Sequence, residues 1–251
     1  MAAPTIRPQA RGAQVNNLRS AELVCYSSSV ALTPERVRAF REDYRRERIA
    51  PGYRGWLHLG FITLVCLGAM VAALVSIDSI RALSWFDWLV IPIAWITANA
   101  VEYAMHRGPM HHLGALTAKL YKRHTSEHHR FFSREVMAID SARDFQATLF
   151  PPWMSLVFVG LIGAPMALLV GWVFGHDTAL LFYAAIVFYY LTFEWMHLGI
   201  HMPEDGLIAR LPLVGWARRH HGLHHDPARM RRANFNFAFP LCDWLFGTLE
   251  R

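Results

Sequence analysis

At 251 residues, with 54% hydrophobic and only 18% charged side chains, the chain is too apolar for an ordinary soluble protein, and its positive mean hydropathy points to a membrane. With this go a formal charge of +6 and 14 His, a residue that apolar spans do not need. Three scattered Cys, none in a Cys-x-x-Cys pair, argue against a disulfide framework and a thiolate metal site, so any metal must be held by His.

In chain order, Met1 to Ala21 carries three Arg, no acid and no apolar core. That composition excludes a secretory signal peptide and reads as a disordered cytosolic tail. Thr33 to Arg48 follows as a helix, with Thr33 as N-cap, Pro34 in the first position and interleaved Glu and Arg. Its charged face is expected to be solvated, near anionic headgroups. Residues 1–55 are thus taken as a cytosolic N-terminal segment and residues 56–251 as a membrane-embedded domain.

Four runs are long and apolar enough to cross a hydrocarbon core of roughly 30 Å, at about 56–77, 83–105, 149–174 and 178–200. Their few acids, Asp87, Glu102 and Glu194, lie near the ends, and Trp56, Trp85, Trp88, Trp153, Trp172 and Trp195 also lie near the ends, where the headgroup region suits an amphipathic ring. The links at 78–82 and 175–177 allow only tight turns, so two hairpins are expected. Of the 25 Lys and Arg, 24 lie in the N-terminal segment, the central loop and the C-terminal stretch, with Arg81 alone on the other side. The positive-inside rule then places both termini and the central loop in the cytosol, of a bacterial inner membrane or the endoplasmic reticulum. The basic charge is thereby topology and not a nucleic-acid signal.

Ten of the His fall in four groups at the cytosolic ends of the spans: His106 and His111; His124, His128 and His129; His197 and His201; His221, His224 and His225. Gly108-Pro109 should stop the second span and let the chain turn so that His106 and His111 reach one point. His197 and His201, four apart, share a helix face. Burying so many polar rings at one end of a bundle is costly unless something organises them, and imidazole suits Fe, Zn, Cu and Ni. Four to six positions per ion cannot absorb ten rings, so two ions are the natural count. Glu102, four residues before His106, and Glu194, three before His197, are expected to orient imidazoles, with Asp226 and Asn234 in the same supporting role. His58, His112, His176 and His220 read as ordinary polar residues.

These motifs, His-x4-His, His-x3-His-His, His-x3-His and His-x2-His-His, resemble the fatty acid hydroxylase and sterol desaturase superfamily of membrane di-iron oxygenases. The tail is similar too: Asn234-Phe235-Asn236, then Pro240 to Thr248, resembles that superfamily's Asn-[Phe/Tyr]-Gly and Trp-Asp-x-Leu-Phe-Gly-Thr ending, with Asn236 where Gly is common and Asp243-Trp244 in inverted order. The resemblance implies an all-α membrane protein, four transmembrane helices with a cytosolic helical cap carrying a histidine-rich dimetal site. It also implies two Fe ions, replaceable by Zn in purified protein, with O2 as co-substrate, and hydroxylation of a lipid C–H bond, fatty-acyl or sterol-like. Electrons would come from a separate cytochrome b5-like or ferredoxin-type donor. Desaturation at the same metal site is the nearest alternative. A metal-ion transporter is the alternative of another class, disfavoured because the middles of the spans contain no His.

Overall fold

A computed structural model describes residues 33–80 and 83–251. The expected N-terminal tail and Arg81 lie outside the described residues. Helix α1 (Pro34–Glu47) begins as its sequence dictates, with the Thr33 hydroxyl accepting from the Arg36 amide at 3.4 Å and Pro34 in the first turn. It is not the freely solvated helix expected from its charge. Val37, Arg41 and Tyr44 are buried against the chain that follows the second histidine group.

Among the described residues, four helices are long and apolar enough to cross a membrane: α2 (Gly55–Val75), the second span (Trp85–Met110), α4 (Pro152–Phe174) and α5 (His176–His201). The regular part of the second span is α3 (Val90–Met105). Helix α5 is the centre of the bundle: 56% of its apolar window is buried, against 6% for α4, and α2, α3 and α4 all pack on it. The first two spans therefore share α5 as their main neighbour. Only Gly175, at φ +95°, separates α4 from α5, a left-handed turn that glycine enters without steric cost. At the end remote from the histidines, Val90 and Ala94 of α3, Ala167 of α4, and Leu181, Phe182 and Ala185 of α5 close the bundle.

The second span does not stop at Gly108-Pro109. It widens into a π-helical turn, His106–Met110, and ends at His111. Pro109 has no N–H to give, and the wider i→i+5 turn puts His106 and His111 on one face, their rings stacked at 5.1 Å. A second π-helical stretch, Lys122–His128, carries His124 and His128. Helix α6 (Pro212–His224) brings the last three histidines. From Trp85 to His106 the helical rise is about 31 Å. That matches the hydrocarbon thickness, and the histidines lie at one end of this length.

The C-terminal stretch then folds back along the second span. Helix α7 (Leu241–Leu245) packs on α3, with Tyr103 stacked on Phe246. Asn99 provides for the irregular backbone there: its Oδ1 accepts from the Cys242 amide at 3.1 Å, and its Nδ2 donates to the Phe239 carbonyl at 2.5 Å and to Tyr189 Oη at 2.9 Å. Backbone at apolar depth must be satisfied from within the protein, which is what a polar side chain inside this span achieves.

Candidate metal centre

The structure brings all ten predicted histidines together at one end of the bundle. His106, His111, His124, His129 and His224 form one group and His128, His201, His221 and His225 another, with the potential ligand atoms of each group within 4.8 Å of one another. His197 joins the second group through His128, Nε2 to Nε2 at 3.2 Å. The other described histidines lie elsewhere: His58 bonds to Tyr53 and the Phe150 carbonyl, His112 to the Arg107 carbonyl and His220 to the Asn236 carbonyl, while the exposed His176, at the start of α5, sits with Asp78 and Asp177.

The tautomers follow from the partners. A carbonyl can only accept, so a ring nitrogen against one must carry the proton. Nδ1 donates in this way from His106 to Phe235, from His128 to Ala147 at 2.9 Å, from His201 to Met137 at 2.8 Å, from His224 to Ala233 at 2.8 Å and from His225 to Phe132 at 3.0 Å. His111 Nδ1 donates to Thr125 Oγ1 at 3.2 Å, whose own proton goes to the Met110 carbonyl. In these six rings the lone pair is on Nε2, and Nε2 points inward.

Lone pairs so arranged cannot satisfy one another. Nε2 of His111 and of His224 lie 3.0 Å apart, both acceptors, and Nε2 of His201 is buried with no hydrogen-bond partner among the described residues. A cation between the rings resolves both conflicts, so the donor set fits a metal. Burial holds the His128 ring down to about 3 and keeps His111, His124, His129, His221, His224 and His225 well below the ordinary imidazole value, neighbouring rings pushing the same way. Neutral imidazole is the ligating form.

The carboxylates do not play the part expected of them. Glu102 accepts from Tyr189 Oη at 2.5 Å and the Phe237 amide at 2.9 Å, and Glu194 from Tyr190 Oη at 2.7 Å and the Phe150 amide at 3.3 Å. They hold tyrosines and backbone, not imidazoles: Glu102 meets α5 and the C-terminal loop, and Glu194 meets Tyr190 one turn back on its own helix and the chain just before α4. Asp226 caps the turn after α6 by accepting from the Ala228 amide. Asn234, at φ +58°, ties His220 and Glu250 together through its side-chain amide. It thereby fixes the loop whose Ala233 and Phe235 carbonyls hold His224 and His106.

Sequence reasoning missed two residues. Asp243 is fully buried, accepts from the Phe235 and Asn236 amides at 2.9 and 2.7 Å, and takes a further bond from Thr248. It sets the same loop, and its signal was a lone acid in the tail motif. Asn99 was the other, a neutral polar residue inside an apolar span.

A cavity of about 260 Å³ opens from the histidines into the bundle, between α3, α4 and α5. His106, His124, His128 and His197 form its inner wall, and most of the rest is apolar, reaching Ile162 and Met166. Along α5 it extends from His197 to Ile186, about 16 Å at helical rise. Phe237 stacks on His197 and Phe132 on His201, so aromatic faces screen the rings from water.

No curated protein and no solved structure matches the chain. A family model described as fatty acid hydroxylase matches residues 91–248, more than half of the sequence and all ten clustered histidines, so the chain belongs to the fatty acid hydroxylase family, within the fatty acid hydroxylase and sterol desaturase superfamily.

Proposed function

We propose that the protein is a membrane oxygenase that hydroxylates a C–H bond of a lipid, with two irons held by the two histidine groups. The observation that carries this reading is the junction of an inward-facing set of Nε2 lone pairs with an apolar cavity set between spanning helices. Bound there, iron supplies the redox chemistry with O2 that protein side chains lack. His106, His111, His124, His129 and His224 would hold one ion, and His128, His201, His221, His225 and neighbouring His197 the other. The carbonyls of Phe132, Met137, Ala147, Ala233 and Phe235 keep the rings in the ligating tautomer. The cavity seats an acyl or similarly apolar chain with one carbon beside His106, His124, His128 and His197.

The positive-inside argument places the histidine end and both termini in the cytosol. Electrons then come from a separate soluble donor. Desaturation uses the same residues and is separated only by its product. Metal transport is disfavoured because the cavity beyond the histidines is mostly apolar, with Glu102 the one carboxylate in its lining and that group taken up by Tyr189 and the Phe237 amide.

The test is comparative lipid mass spectrometry on cells with and without the gene, with metal analysis of the purified protein. Gain of one oxygen is expected; loss of two hydrogens would move the reading to desaturation, and zinc alone after iron-replete expression would count against oxygenase chemistry. His128→Ala should abolish the O2-dependent product, whereas His58→Ala, whose ring bonds outside both groups, should retain it.

A further inference from the structure

The histidine cluster has a second approach, on the opposite side from the lipid cavity. A groove of about 860 Å³ is lined by α1, the chain at 134–140, Glu204, α6 and Arg251, and no residue of any spanning helix contributes to it. Its wall includes Met137, whose carbonyl accepts the Nδ1 proton of His201 at 2.8 Å, and Gly222-Leu223, which lie between His221 and His224 in the chain. The groove is thus separated from the second histidine group by a single layer of backbone.

Its charge is one-sided. Seven arginines line it against four carboxylates. Arg41, Arg45 and Arg218 are engaged with Asp140, Asp144 and Glu204. Arg38, Arg134 and Arg219 are exposed on its rim and form no ion pair among the described residues. Paired arginines build the wall, and the unpaired ones leave a positive rim. The cations are spread around a wide opening and interspersed with Glu42 and Glu135 rather than converging on one point, a pattern that fits a protein surface bearing carboxylates better than a small anion.

We propose that this groove is the docking surface for an acidic one-electron carrier, seated so that its redox group lies over Met137 and Gly222-Leu223. The proposal rests on the oxygenase reading. Hydroxylation consumes one O2, two electrons and two protons, placing one oxygen atom in the C–H bond and releasing the other as water. The carrier is oxidised by one electron on each of two visits, and the protons come from solvent. The lipid occupies the apolar cavity, so the carrier must use the aqueous side, and this groove is the place where that side meets the histidines. One of the three rim arginines, Arg38, is on α1, which lies outside the residues matched to the family.

The test uses the full chain in nanodiscs and two acidic probes, the soluble domain of cytochrome b5 and a plant-type ferredoxin. At least one should bind the wild-type protein, metal-free as well as iron-loaded, more weakly as salt rises. The double variant Arg134→Glu/Arg219→Glu should weaken that binding about tenfold or more. It should slow iron reduction by the carrier equally, while reduction by dithionite, too small to need docking, stays at the wild-type rate. Binding unchanged by the double variant, or no binding of either probe to the wild type, overturns the proposal. Tight binding of a pyridine nucleotide, lost in the double variant, would also overturn it in favour of a small-molecule reductant. If dithionite reduces no iron in the wild type, the oxygenase reading has failed instead.

Discussion

Six of the ten clustered imidazoles have Nδ1 committed outward and Nε2 inward, and in five of them the outward partner is a main-chain carbonyl. Side chains that hold those carbonyls in place therefore act on the site without touching it. Asp243→Asn replaces an acceptor of two amides by a group with one donor end, leaving a buried N–H unpaired. A loss on the order of 1.5–3 kcal/mol is expected for a hydrogen bond to a charged group. Thermal unfolding should show it, and metal content should fall, since the Phe235 carbonyl that holds His106 shifts with the loop. Unchanged iron retention in Asp243→Asn would refute the link between loop and ring. The histidines themselves were legible from spacing, because ten rings in pairs and triples have few uses. The roles of Glu102 and Glu194 were not, since spacing from a histidine does not say which hydroxyls and amides the rest of the fold brings to a carboxylate. The anchoring carbonyls could not be read at all: a main-chain acceptor leaves no mark on residue type.

At the scale of elements, the four spans followed from apolar run length, and their observed limits differ from the expected ones by a few residues. The errors concern how elements end and what covers them. Gly108-Pro109 was read as a stop, but a π-helical turn tolerates the missing N–H and continues the helix to Met110. Helix α1 was read as solvated, but Arg41 is buried, donating to the carbonyls of Phe131 at 2.7 Å and Val136 at 2.9 Å on either side of Phe132. An arginine among other charges gives no sign that it will replace a hydrophobic contact. Helix α4 makes the prediction proper to this scale. Its π-helical stretch, Val157–Gly163, bows beside the far end of the cavity, and Ile162 lines that end. Ile162→Trp should shorten the cavity. The ratio of long-chain to short-chain product is expected to fall about tenfold, the discrimination that one or two methylenes support, with total iron unchanged. Equal loss across chain lengths would mean that this end does not measure the chain.

For the whole molecule, two surfaces of opposite character converge on one centre, an apolar one toward the bilayer and a charged one toward water. The oily and basic halves of the composition thus meet at the histidines. The sequence pattern could place the charge on one side but could not place the groove, which exists only when α1, the 134–140 chain and α6 come together. The long-range anchoring of the rings has a further consequence for biogenesis. His106 depends on a carbonyl 129 residues later, and His225 on one 93 residues earlier. A chain ending at Arg232 would keep all ten clustered histidines yet lack the Ala233 and Phe235 carbonyls. It is expected to purify with the first group empty of metal, which mass spectrometry under native conditions would detect. On the oxygenase reading, a copy that has not yet made residues 233–235 would therefore lack the anchors that hold His224 and His106 ready for the metal.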